Sequence, residues 1–69
     1  MADELARLAQ ADQHIAGAKA RVDKQQKLIE RLAAEGYSVR NAEGFLFALI
    51  GLLSAFESHR RLILNQLRP

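Results

Sequence analysis

One tight break, the sequence EGYS that contains Gly36 and Ser38, divides the chain into two helix-forming segments. The segment before the break has no proline and a single glycine, and residues of high helix propensity dominate it. Gly36 can adopt the left-handed conformation that ends a helix, and Ser38 can accept from the free amides that begin the next one. We expect helix one at about residues 3–35, a turn at 36–38 and helix two at about 39–67.

Hydrophobic residues recur every seven positions along helix one, which is typical of a coiled-coil seam. One heptad position holds Leu8, Ile15, Val22 and Ile29, and the position three residues on holds Ala11, Ala18, Gln25 and Leu32. On helix two, a helical wheel groups a broad apolar stripe: Ala42, Phe45, Leu46, Leu49, Leu52, Leu53, Phe56, Ile63, Leu64 and Leu67. The two patterns predict an antiparallel two-helix hairpin.

In that hairpin small residues of helix one face large residues of helix two, as close packing requires. Ala18 is expected near Phe56, and Ala11 near Ile63. The predicted hairpin seam joins Leu8, Ile15, Val22, Ile29, Leu32, Leu49, Phe56 and Ile63. Gln25 is a polar residue within this seam. Its amide either fixes the register of the helices or lies at the rim in water, and the sequence leaves both interpretations open.

A single 69-residue domain, residues 1–69, has little core with which to hold itself together. Disulfides and thiolate metal sites are excluded because the chain has no cysteine. Short chains of this kind usually gain stability from a partner subunit. The sequence therefore predicts an all-α hairpin that dimerises into a four-helix bundle, the commonest symmetric solution for two hairpins.

Helix two carries a second apolar surface, on the side away from the seam, that a hairpin alone leaves uncovered. We call this surface the outer face. Its small residues form one stripe and two larger residues lie beside it: Gly44, Ala48, Gly51 and Ala55, with Phe47 and Ile50. We expect the outer face to bind a second copy of the chain or a helix of a partner protein. The alternative is that Phe47 and Ile50 are merely exposed hydrophobic residues.

The net charge of +2 allows nucleic acid as a partner, with Lys24, Lys27 and Arg31 on the face of helix one opposite the seam as the contacts. Acidic residues interrupt this basic stripe, and residues 1–35 carry six basic and six acidic side chains. The chain also offers no aromatic platform on which single-stranded bases could stack. Nucleic-acid binding is therefore the alternative function, against an ordinary solvated helix face.

No pattern in the sequence predicts catalysis, a cofactor or a metal site. The chain has no glycine-rich phosphate loop, and neither Ser54 nor Ser58 has a base at helical spacing. His14 and His59 are expected at neighbouring levels of the hairpin, but neither helix carries two metal ligands three or four residues apart on one face. We therefore expect a protein that is not an enzyme, with both histidines at the edge of the core.

The sequence predicts neither export nor membrane insertion. Acidic residues Asp3 and Glu4 stand where a secretory signal would have a basic segment. The longest uncharged run, residues 44–56, falls short of the roughly 18–20 residues that a bilayer crossing needs. The expected location is the cytoplasm, with which the absence of cysteine is compatible.

Four segments of the sequence carry a resemblance to other proteins: ADQHIA from Ala11, LIERL from Leu28, the EGYS turn, and ESHRRLIL from Glu57. Together they resemble a group of small helical-hairpin proteins from soil and plant-associated alphaproteobacteria, over nearly the whole chain. The resemblance implies the hairpin fold and no particular activity, and residues 45–56 are more apolar here. By architecture alone the chain is also similar to Rop, a dimeric four-helix bundle that binds RNA, although such likeness does not transfer function.

Overall fold

The computed structural model of the chain is a helical hairpin. It describes the backbone of residues 2–68 and the side chains of residues 3–68. Helix α1 spans Ala2–Ala34 and helix α2 spans Arg40–Leu67. Over the described residues there is no strand, so the predicted all-α hairpin is confirmed. The two ends of the predicted domain, residues 1 and 69, lie outside the described residues.

The helix boundaries differ from the prediction by one residue at three of the four ends. Helix α1 begins at Ala2, which places the acidic Asp3 and Glu4 in its first turn, where the helix dipole favours negative charge. Helix α2 begins at Arg40 and has Val39 in the cap position, without a side-chain cap. Ser38 does accept a hydrogen bond from the Arg40 amide, at a long 3.4 Å. Ser38 thus accepts from one amide at the start of α2, as expected, although Val39 occupies the cap position.

The turn between the helices is built on Gly36, whose φ of 83° lies in the left-handed region. Its amide donates to the Ala33 carbonyl at 3.1 Å, and the Tyr37 amide donates to the Leu32 carbonyl at 2.9 Å. This pair of bonds is the Schellman motif, which satisfies carbonyls that the end of a helix would otherwise leave free. The predicted role of Gly36 follows, because side chains other than glycine rarely adopt this backbone conformation.

Three contacts between the helices show that they run antiparallel. Asp12 accepts a hydrogen bond from Arg60, the rings of His14 and Phe56 stack, and Gln25 donates to the carbonyl of Ala42. As residue numbers rise along α1, the numbers of the partners fall along α2. Ala18 and Phe56 line one groove, but the ring of Phe56 stacks on His14, one turn before Ala18, so the register is shifted from the expected one.

The core is thin. Its buried hydrophobic residues, among those described, are Ala11, Ala18, Leu49 and Ile63. The other predicted seam residues are half-buried: Leu8, Ile15, Val22, Ile29, Leu32 and Phe56. Three residues of the broad apolar stripe on helix two are not covered by α1. Phe45, Leu52 and Leu64 are exposed, and Phe45 is 57% exposed. One narrow partner helix cannot cover so wide a stripe, and its margins reach solvent.

The shape of the molecule reflects this thin core. The hairpin measures 55 × 14 × 12 Å and has a radius of gyration of 16.0 Å, against about 11 Å for a compact domain of this length. Its accessible surface is 5444 Å², whereas a compact monomer of 7.7 kDa has roughly 4300 Å². The isolated chain therefore leaves an excess of about 1100 Å² in contact with water.

Candidate functional site

The outer face of α2 is exposed along its whole length in the single chain. The six predicted residues are all accessible: Gly44, Phe47, Ala48, Ile50, Gly51 and Ala55. Phe47 is 81% exposed and Ile50 46% exposed. Large apolar side chains are costly to hold in water, at about 25 cal/mol for each Å² of apolar surface. The structure thus places the predicted association residues together on one uncovered surface.

Two glycines of the outer face have no role in the packing of the hairpin. A Cβ atom built on Gly44 or Gly51 would meet nothing within 4 Å. Each glycine in the middle of a helix destabilises it by roughly 0.5–1 kcal/mol relative to alanine. Contacts within the chain do not offset this cost. Glycines at such positions are typical of surfaces where another backbone approaches closely.

Sequence reasoning missed one member of this surface, Leu62, which is 61% exposed. It lies seven residues after Ala55 and fourteen after Ala48, so it continues the same face of the helix by one more heptad. The heptad spacing from Ala48 and Ala55 could have assigned Leu62 to the outer face from the sequence. With Leu62 the uncovered apolar surface extends towards the end of α2.

A second feature of the molecule is an open groove between the two helices near the turn, which we call the basic groove. Its volume is about 390 Å³. Apolar side chains from both helices form its floor, and four cationic side chains of α1 form its rim. The apolar residues are Leu28, Phe45 and Leu49, the cations are Arg21, Lys24, Lys27 and Arg31, and Gln25 completes the lining. The three predicted nucleic-acid residues are thus together here, and Arg21 joins them.

Three of the four cations in the basic groove have no carboxylate partner among the residues that the structure describes. Lys27 pairs with Asp23, four residues earlier, at 3.1 Å between exposed side chains. Within residues 3–68, no carboxylate pairs with Arg21, Lys24 or Arg31. Glu35, four residues after Arg31 on the chain, does not pair with it within the described residues. The uncompensated charge is therefore concentrated along one rim of the groove.

The groove on the opposite side of the hairpin is different in chemistry. Its cations stand beside acidic residues, Asp12 and Glu57. Arg60 donates from its Nε atom to the Oδ1 atom of Asp12 at 2.6 Å, which ties α2 to α1. Charge on this side is partly neutralised within the chain. The two sides of the hairpin thus present unlike surfaces to a charged ligand.

The amide of Gln25 supports the register interpretation of this residue. Its Nε2 atom donates to the carbonyl oxygen of Ala42 at 3.0 Å, and the bond is partly buried between the helices. A directional bond from one helix to the backbone of the other is satisfied in a single register. Gln25 therefore holds the two helices in position just below the turn, at the floor of the basic groove.

The histidines do not form a metal site in the part of the chain that the structure describes. His14 stacks on the ring of Phe56, with centroids 5.1 Å apart and planes 28° from parallel. Both histidines are exposed. No three side chains among histidine, aspartate and glutamate lie close enough together to hold an ion over the described residues. His14 instead covers one edge of the core.

Comparison with known proteins finds no match: no family model fits the chain, no curated protein is similar to it, and no solved structure shares its fold at a significant level. The resemblance to the alphaproteobacterial group thus stays a prediction. Between residues 2 and 68, neither helix combines the length and hydropathy that a bilayer crossing needs. The geometry of the outer face and of the basic groove therefore carries the functional argument.

Proposed function

We propose that the chain is a non-enzymatic association module, and that its activity is the pairing of two hairpins through the outer face of α2. The observation that carries the proposal is the excess surface of the isolated chain, about 1100 Å². A stable interface buries about 800 Å² on each partner. The excess of accessible surface is thus of the size that pairing with a second hairpin would remove from water.

The arrangement we propose is a four-helix bundle with two-fold symmetry. In such a dimer the same patch of each copy faces the other, so the small stripe of one α2 meets that of its partner. Gly44 and Gly51 would let the two backbones approach, and Phe47 and Ile50 would cover the flanks. A helix of another protein with a similar stripe would fit the same surface. The cytoplasm is the proposed location, since a chain without cysteine needs no oxidising compartment.

The mass in solution tests this proposal. Size exclusion with light scattering, at several concentrations down to the micromolar range, should give twice the chain mass of 7.7 kDa, with dissociation on dilution. A monomer that remains folded at every concentration would contradict it. A mass above that of the dimer would be consistent with association through the outer face, but it would contradict the four-helix bundle.

A matched pair of glycine variants tests the surface itself. Gly51→Leu should shift the protein to monomer because a large side chain would hold the two backbones apart. Gly17→Leu is the control, since Gly17 is also exposed in mid-helix with nothing near its Cβ position, but lies on α1. Both changes raise helix propensity equally. If the two variants associate alike, the outer face is the wrong surface.

The alternative function is nucleic-acid binding through Lys24, Lys27 and Arg31. What favours it is the geometry of the basic groove, where these three side chains and Arg21 share one rim. Binding to duplex RNA or DNA would then weaken steeply with salt, with a slope set by the number of phosphates contacted. The absence of retention on either nucleic acid at low salt would remove this alternative.

A further inference from the structure

We propose that the basic groove is a binding site for a small anionic amphiphile, a molecule with one acyl chain and a carboxylate or similar anionic head. The proposal rests on two features found together: an apolar floor and an uncompensated row of cations at its rim. None of its lining residues belongs to the outer face of α2. The site is therefore separate from the proposed association surface.

The floor of the groove has the chemistry that an acyl chain needs. Phe45, Leu49 and Leu28 line it, and Phe45 is 57% exposed although it flanks the core. The groove volume of about 390 Å³ lies in the range of small-molecule sites, roughly 300–1000 Å³.

The apolar floor continues along the hairpin past the first groove. A smaller depression of about 180 Å³ follows on the same side, shares Arg21 with the basic groove, and is lined by Leu52 and Phe56. Phe45 and Phe56 are thus about 16 Å apart along α2, at 1.5 Å per residue. An extended acyl chain could lie along this trough with its head among the cations. Its aliphatic carbons would cover apolar side chains that the hairpin leaves in water.

The rim determines the sign of the head group. Arg21, Lys24 and Arg31 have no carboxylate partner within the described residues, and the groove lining contains no acidic residue. An anion placed there would gain charge-assisted hydrogen bonds without displacing an existing ion pair. A cationic head with the same acyl chain would be repelled. The preference for an anionic amphiphile over a cationic one is thus a direct consequence of the lining.

Titration with monomeric dodecanoate, followed by amide chemical shifts, tests the proposal. We expect a dissociation constant on the order of 0.1–1 mM from typical ligand efficiency, with shifts concentrated at residues 21–31, 45–49 and 52–56. Butyrate, which lacks the long chain, and dodecyltrimethylammonium, which has the opposite charge, should bind at least about tenfold more weakly. Equal binding of the two dodecyl compounds would overturn the proposal, as would shifts centred on Phe47.

Two matched pairs of variants locate the site. Lys24→Glu should weaken dodecanoate binding by about fivefold, the scale of an exposed ionic contact, whereas Lys19→Glu on the opposite side of the hairpin should not. Phe45→Ser should weaken it by about tenfold and Phe47→Ser should leave it unchanged. Circular dichroism establishes that each variant is folded. Equal effects within either pair would contradict the assignment.

A final comparison separates the free amphiphile from other anionic partners. Vesicles of phosphatidylcholine and phosphatidylglycerol at three to one present the same chemistry as a surface. Binding to these vesicles without binding to monomeric dodecanoate would overturn the site in favour of a membrane surface. Duplex RNA whose binding is weakened by Lys24→Glu and untouched by Phe45→Ser, in the absence of dodecanoate binding, would assign the cations to nucleic acid instead.

Discussion

The inner face of α2, which packs against α1, and the outer face both carry large apolar side chains, but in opposite environments. On the inner face Ile63 is 1% exposed and Leu49 is buried against α1. On the outer face Phe47 is 81% exposed, although phenylalanine is as costly to hydrate as isoleucine. One folded hairpin thus covers the inner face of this helix and leaves the outer face in water. A hydrophobic side chain is expected to be buried, but the fold determines whether residues of its own chain or of a partner bury it.

The contrast with α1 explains why α2 is the helix with an uncovered apolar face. Helix α1 has a narrow apolar seam with polar and charged residues around it, so one neighbour is sufficient. Between Gly44 and Phe56, helix α2 has no charged residue on any side. A helix that is apolar all round is normally covered all round. The predictions below test whether the two faces of α2 respond to different events, folding on the inner face and association on the outer.

The largest expected effect comes from truncating the inner face. Ile63→Ala should lower the free energy of unfolding by about 2–5 kcal/mol, because it leaves a cavity in a core with few buried residues. Since such small domains have only a few kcal/mol of stability, the variant should be largely unfolded at room temperature. Thermal denaturation followed by circular dichroism measures this loss.

Phe47→Ala is the matched change on the outer face. At dilutions where the chain is monomeric it should alter stability by no more than about 0.5 kcal/mol, as exposed substitutions usually do. At higher concentration it should lower the midpoint of unfolding, because it weakens the associated state. A large loss of stability in the dilute monomer would break the distinction between the two faces.

A second pair of substitutions should give effects of opposite sign. Gly36→Ala should destabilise the hairpin by about 1–2 kcal/mol because its φ of 83° is strained for a residue with a Cβ atom. Gly44→Ala should stabilise the dilute monomer by about 0.5–1 kcal/mol, since Gly44 is helical and has open space around it. Denaturant titrations at low concentration measure both. If Gly44→Ala also destabilises the monomer, the outer face has a structural role that the hairpin does not show.

The sequence predicted the parts of this fold that depend on local chemistry and on periodicity. Gly36 marked the turn because left-handed backbone is nearly specific to glycine, and the heptads of α1 marked the side of that helix that packs against α2. The exposure of Phe45 was not predictable from a wheel. The exposure of Phe45 depends on the rotation of α1 about its axis and on how much of the apolar stripe α1 covers. The packing of all the seam residues together determines both.

The candidate surfaces divide in the same way. The outer face could be predicted because its spacing is regular along one helix. The basic groove could not, because its floor comes from both helices and its rim from one, so it exists only once the register is set. Lys24, Lys27 and Arg31 were recognised as a charged stripe, whereas Arg21 and the apolar floor beneath them required the hairpin. The acceptor of the Gln25 amide, the Ala42 carbonyl, likewise follows from the register alone.

The smallest expected effect concerns the ion pair that joins the two helices at the edge of the inner face. Arg60 and Asp12 are 2.6 Å apart, with side chains 38% and 55% exposed, so solvent screens much of their attraction. A double-mutant cycle with Asp12→Asn and Arg60→Gln should give a coupling free energy of about 0.5–1 kcal/mol at low salt. The coupling should fall as ionic strength rises.

The Asp23–Lys27 pair is the control for this cycle, because it lies within α1 and its side chains are more exposed. Its coupling should be about 0.3–0.5 kcal/mol, the usual value for charged residues four apart on a helix. The first pair resists separation of the helices, whereas the second only stabilises α1. Mild denaturation that opens the hairpin while α1 stays helical should therefore abolish the Asp12–Arg60 coupling and spare the other. A coupling free energy of zero for Asp12 and Arg60 would show that the contact between α1 and the inner face of α2 gains nothing from this charge pair.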